Sequence, residues 1–427
     1  MNPRRGRPRK LSGKNIFQKS SPCAGTGVTN VYAPSGLLTN KFGSRTYATA
    51  DGYDYAGRMQ TLTTWTNAAT KAGAAVTAWN YDGYRGFLTN KAYADGKGPN
   101  YAYTAAGRLQ SRMWARGTNT AYGYNVAGDL SAVSYSDATP GMTNGFDRLG
   151  RQVTVTNGAT VCVETYNDVG ELLGEAYTGG PLNGLSVTNG YDSLLRRTSV
   201  SLLNASSVIL ASTKYTYDAA SRLASVSDGT NTANYSYLAN SPLVGQIAFA
   251  NNGATRMTTM KQYDLLNRLT GISSFGGTSS ASPIASFNYT YNSANQRTLV
   301  TNVDNSYSIF QYDFLGQVTS GKRYWSDGTP VAGQQFTYNF DDIGNRKTTA
   351  SGGDGSGSNL RTANYTANNL NQYTSRDVPG YATVLGSANA NATVTVNLQR
   401  AYRYGNYFSD ELSENIKGSK GVSPSFI

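Results

Sequence analysis

The sequence predicts an all-β chain built from tandem β-hairpins, and three observations support this fold class. Only 15 % of the 427 residues are charged, against about 25 % in an average soluble domain. Tyr (32 residues) and Gly (47 residues) are abundant instead. Tyr fits the pleated, half-buried surface of a strand, and Gly supplies turns. Finally, a short aromatic-Asp motif recurs along most of the chain.

The N-terminal segment differs from the rest in charge. The first 50 residues contain nine Lys or Arg and no Asp or Glu, which leaves 28 of the 37 basic residues against 25 acidic residues in the remainder. The main body is therefore close to neutral, despite the formal net charge of +12. A surface for a polyanion is expected only in residues 1–30, which we predict to be a disordered basic tail.

Within this tail, Arg5-Gly6-Arg7-Pro8 looks like an AT-hook. In such a motif the Arg side chains enter the narrow minor groove of A·T-rich DNA, where negative potential is concentrated. These four residues are candidate DNA-binding residues. The alternative is a basic leader with no specific role, or an upstream start codon that does not belong to the array.

Deletion of residues 1–20 tests the tail, because it removes seven basic residues and no acidic one. We expect any binding to A·T-rich duplex to fall steeply with salt and to disappear in the truncated protein. A filter-binding titration at two salt concentrations measures this. Tight binding that survives the truncation would place a nucleic-acid surface on the near-neutral body.

The repeated motif has the pattern aromatic-Asp-x-x-Gly-Arg-Leu. Its clearest copy begins at Tyr217-Asp218 and ends at Arg222-Leu223. The residues predicted to form the repeat turns are Tyr53, Asp54, Gly57, Tyr217, Asp218, Tyr263, Asp264, Asn267, Tyr312, Asp313 and Gly316.

With weaker copies included, fifteen aromatic residues anchor the repeats at steps of 20 to 28 residues. They are Tyr32, Tyr53, Tyr81, Tyr103, Tyr124, Phe146, Tyr166, Tyr191, Tyr217, Tyr237, Tyr263, Tyr291, Tyr312, Phe340 and Tyr365. The residue after the anchor is Asp or Asn in eleven of the fifteen, and the residue four positions after it is Gly or Asn in eleven. This agreement away from the anchors indicates a real repeat.

Each copy has the chemistry of a β-hairpin turn. Asp or Asn can bond its side chain to the backbone two residues on, and Gly or Asn adopts the positive φ that closes a type I turn with a bulge. Tyr215 and Tyr217 are expected on one face of the strand, with Thr216 on the other. An isolated hairpin is marginal in water, so the copies must stack on their neighbours. We predict about fifteen repeats over residues 31–375, followed by an irregular segment, 376–427.

These units resemble the YD repeats of Rhs-type proteins, of the shells of insecticidal toxin complexes and of the teneurin barrel. The resemblance covers roughly residues 30–375. It implies a spiralling antiparallel sheet that forms a partial or complete hollow shell around a polypeptide cargo. It also implies a secreted or cell-surface location, although no signal peptide is recognisable in the sequence.

The end of the chain departs from that family. Rhs proteins follow the repeats with a core segment that contains Asp-Pro and releases a variable C-terminal toxin by self-cleavage. This sequence contains no Asp-Pro, and its tail has only the short aromatic run Tyr402-Arg403-Tyr404. We therefore expect a fragment that lacks the core and the toxin, with any cargo or toxin module encoded elsewhere.

The residue inventory argues against catalysis. The chain has no His, which removes His-based acid–base and nucleophilic chemistry. Cys23 and Cys162 form no CxxC pair and are expected to be unpaired, so neither a metal site nor a cofactor is predicted. Asp341-Asp342 is interpreted as turn chemistry. The Gly352–Ser358 segment is interpreted as a flexible Gly/Ser loop and not as a calcium-binding repeat.

The function expected from the sequence is a non-catalytic shell or scaffold that encloses or presents a polypeptide in a toxin-like or cell-surface assembly. The alternative is an adhesion or carbohydrate-binding module, in which exposed Tyr side chains would stack on sugars. DNA binding through the tail is a third hypothesis. No apolar run is long enough for a transmembrane helix.

Overall fold

The fold is a single long β-sheet with a small appendage. The structure is a computed structural model that describes residues 27–278 and 282–413. Thirty of its strands belong to one antiparallel sheet, which confirms the predicted all-β class.

The strands are short and regular along the chain. The first fifteen are β1 (Val28–Tyr32), β2 (Leu38–Gly43), β3 (Thr49–Tyr53), β4 (Met59–Asn67), β5 (Ala72–Tyr81), β6 (Leu88–Ala92), β7 (Asn100–Tyr103), β8 (Leu109–Met113), β9 (Asn119–Tyr124), β10 (Leu130–Tyr135), β11 (Met142–Phe146), β12 (Gln152–Asn157), β13 (Thr160–Tyr166), β14 (Leu172–Thr178) and β15 (Ser186–Tyr191). A 3₁₀ turn, η1 (Gly180–Leu182), precedes β15.

The next fifteen complete the large sheet. They are β16 (Arg197–Leu203), β17 (Ile209–Tyr217), β18 (Leu223–Ser227), β19 (Asn231–Tyr237), β20 (Val244–Asn251), β21 (Ala254–Tyr263), β22 (Leu269–Gly276), β23 (Ala285–Tyr291), β24 (Arg297–Asn302), β25 (Tyr307–Tyr312), β26 (Val318–Tyr324), β27 (Pro330–Phe340), β28 (Arg346–Gly352), β29 (Leu360–Ala367) and β30 (Tyr373–Arg376).

Each strand pairs with the strands before and after it in the sequence. The strand pairing runs without a crossover from the β1–β2 pair to the β29–β30 pair, and each pairing is antiparallel. Within the described residues β1 and β30 each have one paired neighbour, so hydrogen bonding does not close the sheet. The sheet is an open meander in which neighbours in sequence are neighbours in space.

The turns alternate between two edges of this meander. We call the edge formed by the turns after the odd-numbered strands the motif edge, and the edge formed by the loops after the even-numbered strands the return edge. Fourteen of the fifteen predicted anchors are the last residues of odd-numbered strands, from Tyr32 in β1 to Phe340 in β27. The fifteenth prediction is wrong by two residues, because β29 ends at Ala367 and not at Tyr365. Because the anchors were defined as aromatic residues, the nearby Tyr365 was selected in place of Ala367.

The predicted turn geometry is present on the motif edge. The amide of Gly57 donates to the carbonyl of Asp54 at 3.0 Å, and the amide of Asp54 donates to the carbonyl of Arg58 at 2.9 Å. Gly57 has φ +77°, Asn267 +61° and Gly316 +87°. This is a type I turn closed by a residue with positive φ, and the strand pairing shifts by one residue at the anchor, as in a bulge.

Gly316→Val should therefore destabilise its hairpin by about 1–3 kcal/mol, because a β-branched residue is strained at positive φ. Gly316→Asn is the matched control, since Asn267 and Asn295 adopt φ +61° at the equivalent place in their turns. Urea unfolding followed by circular dichroism measures both. Equal losses for Val and Asn would contradict this assignment of strain.

The sheet is one layer thick over most of its length. Strand β1 and most of β19 alternate between half-buried and exposed residues, whereas β18 and β20 are half-buried throughout. In β17, Tyr215 and Tyr217 lie on one face and exposed Thr216 on the other, as predicted. The buried apolar residues of the described chain are few: Val133, Phe275, Val331, Ala332, Ala363 and Ala401. A hairpin array of this kind is stabilised by contacts between neighbouring repeats and not by one central core.

The sheet coils far enough for its distant parts to meet. The turn after β27 lies against the loop after β4, where the amide of Ala68 donates to Asp342 Oδ2 at 2.8 Å. The amide of Asp342 donates in turn to the carbonyl of Thr66 at 3.1 Å. A Cβ added to Gly344 would lie 3.1 Å from Tyr47 Oη, on the loop after β2. The motif edge at the turn after β27 thus rests on the return edge of the early repeats.

The C-terminal segment differs from its prediction. Where the sequence suggested irregular structure over 376–427, a three-stranded antiparallel sheet forms from β31 (Tyr381–Ser387), β34 (Tyr402–Tyr404) and β35 (Tyr407–Ser413). A two-residue hairpin, β32 (Thr395–Val396) and β33 (Gln399–Arg400), lies between them in sequence. This sheet forms against the array, so its order depends on tertiary contacts that the sequence pattern does not show. At the other end, β1 begins at Val28 and takes residues 28–30 out of the predicted tail.

Candidate functional site

Each copy of the repeated motif contributes a set of three side chains, and these sets follow one another along the motif edge. We call this row of side chains the ladder. The ladder consists of the anchor Tyr, the Asp that follows it and the Arg five residues after the anchor. The sequence predicted the Tyr and the Asp as turn residues and gave the Arg no role of its own. The structure gives one to each.

The Asp carboxylate organises the turn. In the clearest copy, Asp218 Oδ1 accepts from the amides of Ala220 at 2.9 Å and Arg222 at 2.8 Å. The Arg222 amide is the largest cause of a pKa of Asp218 below its ordinary value, with further lowering from the Arg222 side chain. The carboxylate is thus held in its charged form, and it occupies donors that the turn would otherwise expose.

The second carboxylate oxygen holds the Arg. Arg222 Nε donates to Asp218 Oδ2 at 2.8 Å. The same ion pair joins residues four apart in five copies at 2.6–2.8 Å: Arg58–Asp54, Arg151–Asp147, Arg196–Asp192, Arg222–Asp218 and Arg268–Asp264. The ion pair fixes the direction of each guanidinium, because this planar group donates to a carboxylate in a set geometry.

The oriented guanidinium then reaches the next hairpin. Arg222 Nη1 donates to the carbonyl of Ser241 at 2.7 Å, and its guanidinium lies 4.2 Å from the ring centroid of Tyr237. The Arg-over-next-Tyr contact recurs in the pairs Arg58–Tyr81, Arg108–Tyr124, Arg151–Tyr166, Arg196–Tyr217 and Arg268–Tyr291. Such cation–π contacts stabilise by roughly 0.5–1 kcal/mol at exposed sites. Each repeat is therefore tied to the one that follows.

The anchor Tyr makes the reciprocal tie to the preceding hairpin. Tyr237 Oη donates to the carbonyl of Leu223 at 2.8 Å, and Leu223 is the residue at which β18 begins. The equivalent bond is made by Tyr81, Tyr124, Tyr191, Tyr217, Tyr237, Tyr263, Tyr291 and Tyr312, at 2.7–3.0 Å. In each case the acceptor is the first residue of an even-numbered strand, which is the second strand of the preceding hairpin. The hydroxyl, and not only the ring, explains why Tyr is preferred at the anchor.

The ladder is therefore a connector between repeats. In five copies its carboxylate is bound to turn amides and a guanidinium group, and in eight its hydroxyl is bound to a carbonyl, so these polar groups already have structural partners. In the turn after β13 the Tyr166 hydroxyl donates instead to Glu164. A signal for the Arg was present in the sequence, because Arg recurs five residues after the anchor. What the sequence could not show is that this Arg stacks on the following repeat.

Substitution of Asp218 separates the two roles of the ladder carboxylate. Asp218→Ala removes both the turn bonds and the ion pair, and we expect the thermal midpoint to fall by roughly 2–4 °C. Asp218→Asn retains an oxygen for the two amides, as Asn292 does at 3.0 Å from the amides of Ala294 and Gln296. The thermal midpoint of Asp218→Asn should therefore fall by less than half as much as that of Asp218→Ala. Calorimetry of both variants checks the order, and equal midpoints for Ala and Asn would contradict the role of the turn bonds.

Two other segments singled out in the sequence are also turns. Asp341 Oδ1 accepts from the amides of Ile343 and Asn345 in the motif-edge turn after β27, while its neighbour Asp342 contacts the early coil. Asp354 Oδ1 accepts from the amides of Ser356 and Ser358, and these bonds help to lower the pKa of Asp354 to about 2, with the Ser356 hydroxyl as the largest cause. The Gly352–Ser358 segment is thus an ordered hairpin turn between β28 and β29, and not the flexible loop expected from its composition.

Arg5, Gly6, Arg7 and Pro8 lie outside the described residues, as does Cys23. Cys162 is a free thiol in β13, and burial is the largest cause of the raised pKa of its thiol. Among the described residues no helix is long and apolar enough to cross a membrane.

A second set of contacts holds the C-terminal sheet on the array. The Tyr404 ring stacks on Trp325 with centroids 4.8 Å apart and planes at 4°. Tyr404 Oη donates to Asp327 Oδ2 at 2.7 Å, and Tyr407 Oη donates to the carbonyl of Ala332 at 2.6 Å. Burial is the largest cause of the raised pKa of Tyr407.

This interface contains two of the most buried side chains of the described chain. Val331 is 0 % exposed and Gln335 1 %. Gln335 Nε2 donates to the carbonyls of Arg323 and Val331 at 2.7 and 3.0 Å. Arg361 in β29 forms an ion pair with Glu411 in β35 at 2.6 Å, which adds a further bond between the array and the C-terminal sheet. The array thus holds the C-terminal sheet through Tyr and Trp rings, a main-chain acceptor and an ion pair.

Comparison with solved structures shows a related fold. A chain of the crystal structure of TcdB2-TccC3-Cdc42 aligns with 91 % of this protein at 13 % identity and a TM-score of 0.61. A chain of the TcdB2-TccC3 structure aligns with 82 % at 13 % identity and a TM-score of 0.48. The alignment spans about a quarter of the length of each solved chain, 24 % in both cases. No family model matches this sequence, and no curated protein matches it either.

Proposed function

We propose that this protein is a non-catalytic wall element of an Rhs/YD-type shell, which encloses or presents a polypeptide in a toxin-like assembly. The observation that carries the proposal is the coil contact. The sheet is one layer thick, runs through 24 strands from β4 to β27 and then rests on its own return edge, so it is built as a curved wall. The fold shared with part of a TcdB2-TccC3 chain supports the same role.

The chemistry of the wall suits a structural task. Ladder carboxylates, guanidinium groups and hydroxyls are engaged in holding repeats together, and the chain has no His to supply acid–base chemistry near neutral pH. The C-terminal sheet also indicates how a polypeptide could lie on the wall. It is held by stacking of its Tyr404 ring on Trp325 and by a Tyr407 hydroxyl bond to the backbone carbonyl of Ala332, so a passenger with exposed aromatic side chains could be held in the same way.

Binding of an unfolded polypeptide tests the proposal. The probe is fluorescent α-lactalbumin that has been reduced and carboxymethylated so that it stays unfolded. We expect saturable binding by fluorescence anisotropy and slower trypsin cleavage of the probe in the complex. Asp342→Ala, which removes the 2.8 Å bond to Ala68, should weaken retention.

The matched control is Asp168→Ala. Asp168 is exposed and occupies the same place in the turn after β13, two residues after the anchor. Its loss should leave retention unchanged. If the protein ignored the unfolded probe but bound immobilised oligosaccharides, the adhesion alternative would replace the shell proposal.

A further inference from the structure

The motif edge carries a row of exposed aliphatic side chains at one position of the turn. Leu149, Val169, Leu194 and Leu266 each stand two residues after the anchor-adjacent Asp or Asn, and they are 64–75 % exposed. Aliphatic groups at the tip of a hairpin contribute nothing to that hairpin's own pairing. A contiguous exposed apolar patch marks an interaction surface, and Leu149, Val169 and Leu194 stand in the consecutive motif-edge turns after β11, β13 and β15.

One hairpin shows what covers this position. In the turn after β27 the equivalent residue is Ile343, which is half-buried. It belongs to the turn that rests on the return edge of the early repeats, beside the bonds of Asp342 to Thr66 and Ala68. The same turn position is thus exposed in the turns after β11, β13, β15 and β21, and half-buried in the turn that contacts the early repeats and in the turns on either side of it, at Leu315 and Leu370.

The return edge has a complementary character. Leu182, Val208, Ile209 and Val303 lie on or beside its loops and are 43–59 % exposed. Within the described residues, the coil contact covers the loops after β2 and β4 and the C-terminal sheet covers the loop after β26, while the loops that carry these four residues lie between those two regions. On the motif edge, the turns with the exposed aliphatic residues lie before β25. The two free edges face opposite ways, so one molecule cannot satisfy both with its own residues.

We infer that the motif edge of one molecule docks on the return edge of a second copy of this chain, so that the coil continues from copy to copy. The proposed contact extends the internal one between the turn after β27 and the loops after β2 and β4. It is heterologous, because two different edges meet, and such contacts build open stacks instead of closed dimers. It can hold whether or not the wall retains a passenger, so its test is separate from the test of function.

Sedimentation velocity of the full chain across a concentration series tests the stack. We expect mass to increase with concentration beyond the monomer. A motif-edge variant, L149N/L194N/L266N, should remain monomeric, because Asn suits these turn positions but removes the apolar contact. A return-edge variant, L182N/V208N/V303N, should also remain monomeric.

A mixture of the two variants gives the sharpest outcome. Each retains the edge that the other lacks, so the mixture should form a one-to-one dimer that does not grow. The control variant V76T/V163T/I309T removes three exposed apolar side chains from the strands and should assemble like the unmodified chain. Circular dichroism establishes that each variant is folded.

Three results would overturn the inference. The unmodified chain could stay monomeric up to about 100 µM, a range in which a specific contact should be detectable. The return-edge variant could still dimerise, which would indicate contact between two motif edges. Lastly, the motif-edge variant could lose binding to phosphatidylcholine–phosphatidylglycerol vesicles while the unmodified chain stays monomeric, which would assign the row to a lipid surface.

Discussion

Trp325→Ala is expected to release the C-terminal sheet from the array, with a loss of about 2–4 kcal/mol in the stability of that contact. The indole is the platform for Tyr404 at 4.8 Å and meets Tyr407 edge-on at 5.4 Å. Without it both Tyr side chains lose their main apolar partner. Hydrogen exchange measured by mass spectrometry should show residues 381–413 losing protection while β5–β20 keep theirs.

Trp79→Ala is the matched control for this experiment. Trp79 lies in β5 and its described ring contact is with Lys91, so its loss should leave the C-terminal sheet protected. If both variants exposed residues 381–413 equally, the sheet would depend on the stability of the whole array and not on the Trp325 contact.

The second large effect is expected from the Tyr hydroxyls of the ladder. Y237F/Y263F/Y291F removes three consecutive bonds to return-strand carbonyls, of 2.8, 3.0 and 2.7 Å, while it keeps the rings. Each net bond contributes about 1 kcal/mol, so the triple variant should lose about 3 kcal/mol or more, because the carbonyls lose their partner. The urea midpoint should fall, and the loss should concentrate in β18–β24.

Y32F/Y55F/Y84F is the control for the ladder variant. These three Tyr side chains are exposed, and within the described residues no bond is recorded from their hydroxyls. Their replacement should leave the urea midpoint within about 0.5 kcal/mol of the unmodified protein. A control that lost as much as the ladder triple would show that the phenol itself, and not the bond to the preceding hairpin, stabilises the array.

The Trp325→Ala variant and the Y237F/Y263F/Y291F variant also differ in how far their effects should spread along the sheet. The ladder joins each repeat to its immediate neighbours, so the loss of its bonds weakens a local segment of the sheet. The Trp325 contact joins elements that are about 80 residues apart in the sequence, and its loss separates one element from the rest. Comparison of the exchange patterns therefore distinguishes nearest-neighbour stability from long-range docking.

Much of the fold followed from local residue chemistry. The turn of the hairpin is encoded within five residues, because the Asp side chain reaches only the amides of its own turn and Gly57 or Asn267 accepts positive φ without strain. Fourteen anchors located the ends of their strands for this reason. The fifteenth failed where an aromatic residue, Tyr365, stood close to a turn whose anchor position is occupied by Ala367.

What the sequence determined by itself was thus the class of fold, the repeat and the chemistry of each turn, all of which depend on contacts between residues a few positions apart. Only the tertiary structure decided the coil contact of Asp342 with Ala68, the stacking of each ladder Arg on the following repeat and the docking of the C-terminal sheet on Trp325. These contacts depend on the twist summed over many strands, and a small rotation at each pair sets where distant edges meet. No local pattern records that sum, because the same hairpin chemistry is compatible with a flat, an open or a coiled sheet.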